Sequence, residues 1–259
     1  MESSYSIPQN TRVYAIGDIH GYAKELHAMH DLIREDLDKN PIDEAQIVYI
    51  GDYVDRGPEN DEVIQCLIER ELNEPDIQHI FLLGNHENAM REFIIEPTGA
   101  RKDWLDWGGI NTLISYGVQP DMTKPLHPQA SNLAEALAEK LPLSHYEFLK
   151  NCQLYHEVGD YLFVHAGIKP NVPMDKQKQH DLIMIRKGFL DSDVMHDKRV
   201  VHGHTSVKQI EIMPNRINVD TGLYYGRHLT AAVLEDTNVR ALEVPMIDKD
   251  RSRDDGLNG

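Results

Sequence analysis

The feature that most constrains the fold is a pattern that occurs five times: an apolar run followed at once by a short glycine-containing loop of polar residues. The five stretches are R-V-Y-A-I-G-D-I-H-G at 12–21, I-V-Y-I-G-D-Y-V-D-R-G at 47–57, I-F-L-L-G-N-H-E at 80–87, Y-L-F-V-H-A-G at 161–167 and V-V-H-G-H-T at 200–205. Each predicts a buried strand that opens into a loop. A single copy would indicate an ordinary turn, but five copies in one chain need a common cause.

Helical patterns between the first strands predict a largely parallel α/β sheet. The predicted helices are 22–38, 61–71 and 88–95, and the predicted strands include 12–16, 45–50 and 77–83. Later short apolar runs near 216–219, 230–234 and 239–244 predict a second, more antiparallel sheet. We expect a single domain over 1–259 with a mostly helical insertion at about 97–151, in which Trp104 and Trp107 pack, and a flexible tail at about 247–259.

Composition and charge restrict the class of protein. Apolar residues make up 41% and charged residues 27% of the chain, and the mean hydropathy of −0.49 predicts no membrane span. The N-terminal residues lack the pattern of a signal peptide, so we expect a cytoplasmic protein in which Cys66 and Cys152 are thiols packed in the core. The net charge of −17 argues against nucleic-acid binding. An anionic substrate would therefore need a local cationic site, which bound metal ions supply.

The five loops are expected to meet at the carboxyl ends of the strands, where α/β sheets bind their ligands. The candidate site residues are Asp18, His20, Asp52, Asp55, Arg56, Asn85, His86, His165, His202 and His204. Mixed oxygen and nitrogen donors suit two divalent ions, most simply Mn with Fe or Zn as alternatives, and Asp52 could bridge the pair.

Two ions so placed favour hydrolysis of a phosphoester. Arg56 would bind the phosphate, His86 would be the general acid and Asp55 would orient its imidazole. A single histidine is more often a packing or surface residue, and His202 is equally well explained as a partner of the site or as filling the end of its strand. Taken together, the histidines and acids favour a catalytic site.

The motifs G-D-I-H-G, G-D-Y-V-D-R-G, G-N-H-E, H-A-G and G-H-T, in this order, resemble the phosphoprotein phosphatase family of metallophosphoesterases. The stretches W-L-D-W-G-G-I at 104–110 and V-D-T-G-L at 219–223 resemble its bacterial and phage branch, which includes lambda phosphatase. The resemblance implies a four-layer α/β/β/α sandwich of two mixed sheets, and direct attack by a hydroxide that bridges the two metals.

The resemblance also implies roles for individual residues. Asp18, His20 and Asp52 would hold one metal, and Asp52, Asn85, His165 and His204 would hold the other. The substrate phosphate would contact Arg56, Asn85, His86 and Arg186, the last from D-L-I-M-I-R at 181–186. That stretch departs from the family pattern, because Met184 replaces an aromatic residue and Lys187 and Gly188 replace an acidic pair. Glu87 would be a structural partner of the loop.

Three functions follow, in order of preference. The first is hydrolysis of phosphomonoesters in proteins, at phosphoserine or phosphothreonine or else at phosphotyrosine. The second is symmetrical hydrolysis of dinucleoside tetraphosphates, whose enzymes share the scaffold but typically have an uncharged residue in place of Asp55 and an Asp in place of Glu87. The third is a non-catalytic scaffold, which the complete donor set disfavours.

Overall fold

The computed structural model describes residues 5–247 of the chain, so the predicted tail lies almost wholly outside the described residues. The strands are β1 Thr11–Ile16, β2 Glu44–Tyr49, β3 Ile77–Phe81, β4 Tyr155–Val158, β5 Tyr161–Val164, β6 Arg199–His202, β7 Glu211–Ile212, β8 Arg216–Asn218, β9 His228–Glu235 and β10 Asn238–Pro245. The helices are α1 Ala23–Lys39, α2 Asn60–Asn73, α3 Asn85–Ile95, α4 Gly109–Ser115, α5 Ala130–Lys140, α6 Leu143–Asn151 and α7 Gln179–Met184.

The strands form two mixed five-stranded sheets. The first has the order β10-β9-β1-β2-β3, in which β1, β2 and β3 are parallel and β9 is antiparallel to both of its neighbours. The second has the order β4-β5-β6-β8-β7, in which β5, β6 and β8 are parallel. Each of the five sequence motifs therefore follows a strand of a parallel set.

Side chains that alternate along each strand build the layers. On β1, Tyr14 and Ile16 pack in the core beneath the helices, whereas Val13 and Ala15 pack in the core shared with the second sheet. A third, smaller core lies on the outer face of the second sheet, where Phe189 packs with residues of α7. This two-fold alternation is what a sheet covered on both faces requires. The predicted four-layer α/β class is confirmed.

The segment 97–151, predicted as a helical insertion, holds α4, α5 and α6 with two 3₁₀ turns, Gly99–Leu105 and His127–Gln129. Leu113, Leu133 and Leu149 of these helices join the core beneath the first sheet. The segment therefore shares the main core of the domain. Among the helices of residues 5–247, none has the length and apolar character that a membrane span needs.

Two predictions about the elements were wrong. Of the three late strands assigned to a second sheet, only β8 lies there, while β9 and β10 extend the first sheet beside β1. Residues 229–234 are buried on both faces, which is typical of an interior strand, but the sequence does not show which edge they join. The helix predicted at 88–95 begins at Asn85, because the Glu87 carboxylate accepts the Gly84 N–H and so caps the first turn.

Candidate active site

The loops that follow β1, β2, β3, β5 and β6 bring the predicted site residues together, and much of their backbone is strained. In the described part of the chain, eight non-glycine residues have positive φ, and five of them are His20, Asp52, Asp55, Arg56 and His204. Such conformations cost on the order of 1–3 kcal/mol each and persist where the surroundings enforce them. Their concentration in these loops therefore points to a functional site.

Asn85, His165 and His204 converge with Asp52 in one buried group. Asn85 Oδ1 lies 3.0 Å from His165 Nε2 and 2.8 Å from His204 Nδ1. Asp52 Oδ1 lies 3.3 Å from His165 Nε2. Burial and His165 lower the pKa of His204 to about 3, and its Nε2 has no hydrogen-bond partner among the described residues.

His20 and Asp18 approach the other side of Asp52. His20 Nε2 lies 3.7 Å from Asp52 Oδ2, and the Asp18 carboxylate accepts the backbone N–H of His204 at 3.1 Å. Burial raises the pKa of Asp18, and the nearby carboxylates of Asp220 and Asp52 raise it further. Burial alone would raise the pKa of Asp52, but the surrounding histidines bring it below its ordinary value. Asp52 therefore lies between two groups of donors.

The hydrogen-bond partners of the histidines indicate that these groups suit cations. His165 Nδ1 lies 2.8 Å from the Ile50 carbonyl, which only accepts, so Nδ1 carries the proton. Burial lowers the pKa of His165 although Asp52 opposes it, which leaves Nε2 as a bare lone pair facing two oxygen acceptors. His20 is held in the same way by the Val54 carbonyl at 3.0 Å. Lone pairs that face each other without a proton between them are the arrangement a divalent ion would satisfy.

His86 forms a tightly held pair with Asp55. Its Nδ1 lies 2.6 Å from Asp55 Oδ2, which also accepts the Trp104 Nε1–H at 2.7 Å. The other oxygen accepts the Thr112 hydroxyl at 2.6 Å. Burial lowers the pKa of His86, but Asp52 and Asp55 outweigh it and the pKa is raised overall. With Nδ1 held by Asp55, Nε2 is left to face the cleft, which is the arrangement of a proton donor.

Glu87 fixes the loop beneath this pair. Its carboxylate accepts the backbone N–H groups of Asp52, Tyr53, Val54 and Gly84 at 2.7–3.2 Å. A Cβ on Gly84 would lie 2.3 Å from Asp52 Oδ1, so only glycine allows this approach. Glu87 therefore positions Asp52, and both of its carboxylate oxygens have backbone partners.

A cleft of about 460 Å³, here called the arginine cleft, opens onto the site. It is lined by Arg56, His86, Asp106, Trp107, Met184, Arg186, His204, Tyr224 and Tyr225. Arg56 Nη2 lies 3.4 Å from His86 Nε2, and the Arg56 guanidinium lies over the Tyr224 ring at 4.6 Å from its centroid. Both predicted arginines, Arg56 and Arg186, thus line the cleft that opens beside the donor groups.

Some residues differ from the sequence-based expectation. Trp104 packs in the core as expected, but Trp107 is 40% exposed and its ring centre lies 6.0 Å from that of His86. The sequence analysis did not predict Tyr224 and Tyr225 as site residues. They directly follow the V-D-T-G-L stretch, and this position was the signal that could have identified them. His202 packs against Phe189 at the end of β6 and does not join the donor groups.

A family model described as calcineurin-like phosphoesterase matches residues 11–242, a range that contains every loop of the site. The chain belongs to the calcineurin-like phosphoesterase family. Membership makes it a phosphoester hydrolase with a metal centre, for which the clusters of His20, Asp52 and His86 and of Asp52, His165 and His204 offer donors.

Known relatives differ in the substrate for which they are named. The chain is 26% identical over 239 residues to the bis(5′-nucleosyl)-tetraphosphatase PrpE [asymmetrical] of Bacillus cereus (strain Q1), with 83% of this chain and 87% of that protein covered. A crystal structure of a protein assigned as a diadenosine tetraphosphatase is similar with a TM-score of 0.60 at 20% identity, covering 92% of this chain and 98% of that one.

The cold-active protein-tyrosine phosphatase of a psychrophile, Shewanella sp., gives a TM-score of 0.55 at 17% identity, covering 93% of this chain and 83% of that one. At these identities the two structural similarities establish the fold alone.

Proposed function

We propose that the protein is a metal-dependent hydrolase of dinucleoside tetraphosphates. The observation that carries this proposal is the arginine cleft, where Arg56 and Arg186 lie beside two exposed aromatic side chains, Trp107 at 40% and Tyr225 at 43% exposure. A guanidinium group can donate two parallel hydrogen bonds to the oxygens of a phosphate, and aromatic rings stack on nucleobases. The PrpE relatives, named as tetraphosphatases, support the same substrate class.

The metal centre would contain two divalent ions, Mn with Fe or Zn as alternatives. Asp18, His20 and Asp52 would hold one, and Asp52, Asn85, His165 and His204 would hold the other. Bound ions of this kind supply an activated water and offset the negative charge of the reacting phosphate. The donor groups support this assignment because Asp52 lies between His20 and His165.

The remaining residues would handle the phosphate and the proton. Arg56 and Arg186 would bind the oxygens of the phosphate chain. Water adds to phosphorus as the bond to the leaving phosphate oxygen breaks, and protonated His86 would give its Nε2 proton to that oxygen. Asp55 would keep the imidazole oriented and favour its protonated form.

In the sequence, Asp55 and Glu87 were the residues that favoured a protein phosphatase over a dinucleoside tetraphosphate hydrolase. In the structure Asp55 holds His86 and Trp104, and Glu87 holds four backbone N–H groups, so both have structural partners that do not depend on the substrate. They therefore carry little weight in choosing between substrates. The narrower placement in the bacterial and phage branch of phosphoprotein phosphatases stays a prediction.

Product analysis tests the proposal. The protein reconstituted with Mn²⁺ is incubated with diadenosine tetraphosphate, with Asp52→Asn as the matched inactive control. The alternative drawn from the sequence was symmetrical cleavage of the tetraphosphate. The PrpE relatives are named for asymmetrical cleavage, and we propose asymmetrical cleavage for this chain as well. We expect AMP and ATP. Two ADP molecules as products would correct the position of cleavage. If diadenosine tetraphosphate gave no product while phosphopeptides were hydrolysed rapidly, the proposal would be overturned.

A further inference from the structure

A second cleft of about 370 Å³ lies on the other side of Trp107 and Met184, which line both clefts. Asn85 lines the second cleft, while its neighbour His86 lines the arginine cleft. Two consecutive residues at the start of α3 thus open into different cavities. Of the proposed metal ligands, Asn85 lines the second cleft and His204 lines the arginine cleft, and Trp107 and Met184 form the ridge shared by the two.

The walls of the second cleft differ in character from those of the arginine cleft. Ala89, Ala100, Ile183 and Met184 supply apolar surface. Arg101 is the one arginine or lysine among the described lining residues, and it pairs with the carboxylates of Glu92 and Glu96. Asp103 and His180 are the other ionisable residues of the wall, so this described wall offers no unpaired guanidinium or ammonium group to a phosphate. A cleft of this kind favours a flat, uncharged group rather than further phosphates.

Polar groups at the rim could recognise such a group at its edge. The Gln179 amide donates to Asn88 Oδ1 at 3.0 Å, and Asn88 in turn donates to Glu92 at 3.1 Å. Gln179 is exposed at the rim of the cleft. Side-chain amides pair well with the donor and acceptor edge of adenine.

The backbone around Trp107 holds the ridge in a fixed position. The Arg56 N–H bonds to the Gly108 carbonyl at 3.3 Å, and a Cβ on Gly108 would lie 2.7 Å from Arg56 N. Gly108 has a φ of +108°, a value that glycine adopts readily. The exposed indole of Trp107 is therefore set beside the phosphate-binding loop by contacts that involve no substrate.

We propose that the second cleft binds one nucleoside of a dinucleoside tetraphosphate, with Trp107 as the wall that separates it from the arginine cleft. This inference rests on the proposed function. The substrate has a planar base at each end and a reacting phosphate between, and the site has a cleft on each side of its donor groups. The arginine cleft receives the phosphate chain and the other nucleoside, whose base stacks against Tyr225.

The test compares diadenosine tetraphosphate with adenosine 5′-tetraphosphate, which has the same four phosphates but only one nucleoside. The wild-type protein is expected to show a kcat/KM at least about 10-fold higher for the dinucleotide, from stacking of the second base. Trp107→Ala and Ala100→Leu, which narrows the cleft, should bring this ratio close to one. Trp107→Phe should keep most of it.

Leu72→Ala is the matched control, since Leu72 is an exposed apolar residue near the far end of α2, and it should leave the ratio at the wild-type value. Equal losses on both substrates in Trp107→Ala and Ala100→Leu, with the ratio unchanged, would overturn the second cleft while leaving the proposed function intact. A wild-type protein that hydrolyses neither nucleotide would refute the proposed function itself. Phosphopeptide hydrolysis is measured with the same variants. If Trp107→Ala and Ala100→Leu lost only this activity, the cleft would be assigned to a peptide and the inference would be overturned.

Discussion

Replacement of Asp55 by Asn tests how the proton donor is held. The Asp55 carboxylate is fully buried and accepts hydrogen bonds from His86, Trp104 and Thr112 at 2.6–2.7 Å. Asn has the same shape: its oxygen can still accept from His86 and Trp104, while its amide donates to the Thr112 oxygen. The fold is therefore retained, and the main loss is the negative charge beside the imidazole.

The size of the effect follows from that charge. A hydrogen bond to an ionised partner contributes about 1–2 kcal/mol more than a neutral one. That difference lowers the protonated population of His86 about 5- to 30-fold at a pH above its pKa. Because the carboxylates raise the pKa of His86, activity that needs the proton is lost as pH rises through that pKa, and in Asp55→Asn the loss should occur at lower pH.

The assay compares two aryl phosphates. Phenolate, whose conjugate acid has a pKa near 10, needs a proton as it leaves, whereas p-nitrophenolate leaves without one. We expect Asp55→Asn to lower kcat about 5- to 30-fold on phenyl phosphate, and far less on p-nitrophenyl phosphate, with metal content unchanged. Trp104→Phe, which removes one hydrogen bond but keeps the charge, is the control and should stay within about five-fold of wild type. Equal losses on both esters, or loss of metal, would refute the reasoning.

Three further predictions concern the metal, the loop and the acid stability. Asp52→Asn should lower the bound metal below two ions per chain and reduce kcat at least about 100-fold, because it removes the carboxylate shared by both donor groups. Elemental analysis and a turnover assay on the same samples check this. Two retained ions would contradict a bridging role for Asp52. Glu87→Gln should lower the free energy of unfolding by about 3–5 kcal/mol, since its NH₂ group would oppose backbone N–H donors, and urea denaturation measures it; a change below about 1 kcal/mol would contradict the role of that carboxylate. Burial lowers the pKa of His30 in the folded protein to about 3, whereas in the unfolded chain it is near 6.5. Between these two pH values only the unfolded chain protonates this histidine, so the free energy of unfolding falls by about 1.4 kcal/mol for each unit by which the pH is lowered. His30→Gln, which can still bond to the Tyr49 hydroxyl, should show a smaller loss between pH 7 and pH 5 in urea titrations, and an unchanged loss would count against this cause.

Much of the site could be predicted because it is local in sequence. Each donor follows the end of an apolar run, and parallel strands of one sheet place their carboxyl ends at one edge, so Asp18, Asp52 and Asn85 had to lie near each other. His165 and His204 follow strands of the second sheet and reach the site because the two sheets pack together. The class of chemistry followed from the residue types alone. The proposed division between two ions depended on family resemblance, since spacing does not show which oxygen faces which nitrogen.

Other features depend on contacts distant in sequence. The position of β9 beside β1 is set by packing across more than 200 residues, and its apolar run is equally compatible with either sheet. Trp104 and Trp107 are three residues apart in one motif, yet one is 1% and the other 40% exposed. Gly108, the residue after Trp107, is held by contact with the Arg56 backbone, which is distant in sequence and which no local pattern reveals.

The most direct measurement of the central claim is the specificity of the Mn²⁺-reconstituted protein for diadenosine tetraphosphate and for phosphoserine, phosphothreonine and phosphotyrosine peptides, assayed side by side. The account predicts a kcat/KM at least about 10-fold higher for the dinucleotide, because both bases and the phosphate chain find partners in the clefts. A higher kcat/KM for any phosphopeptide would keep the metal chemistry and contradict the proposed substrate.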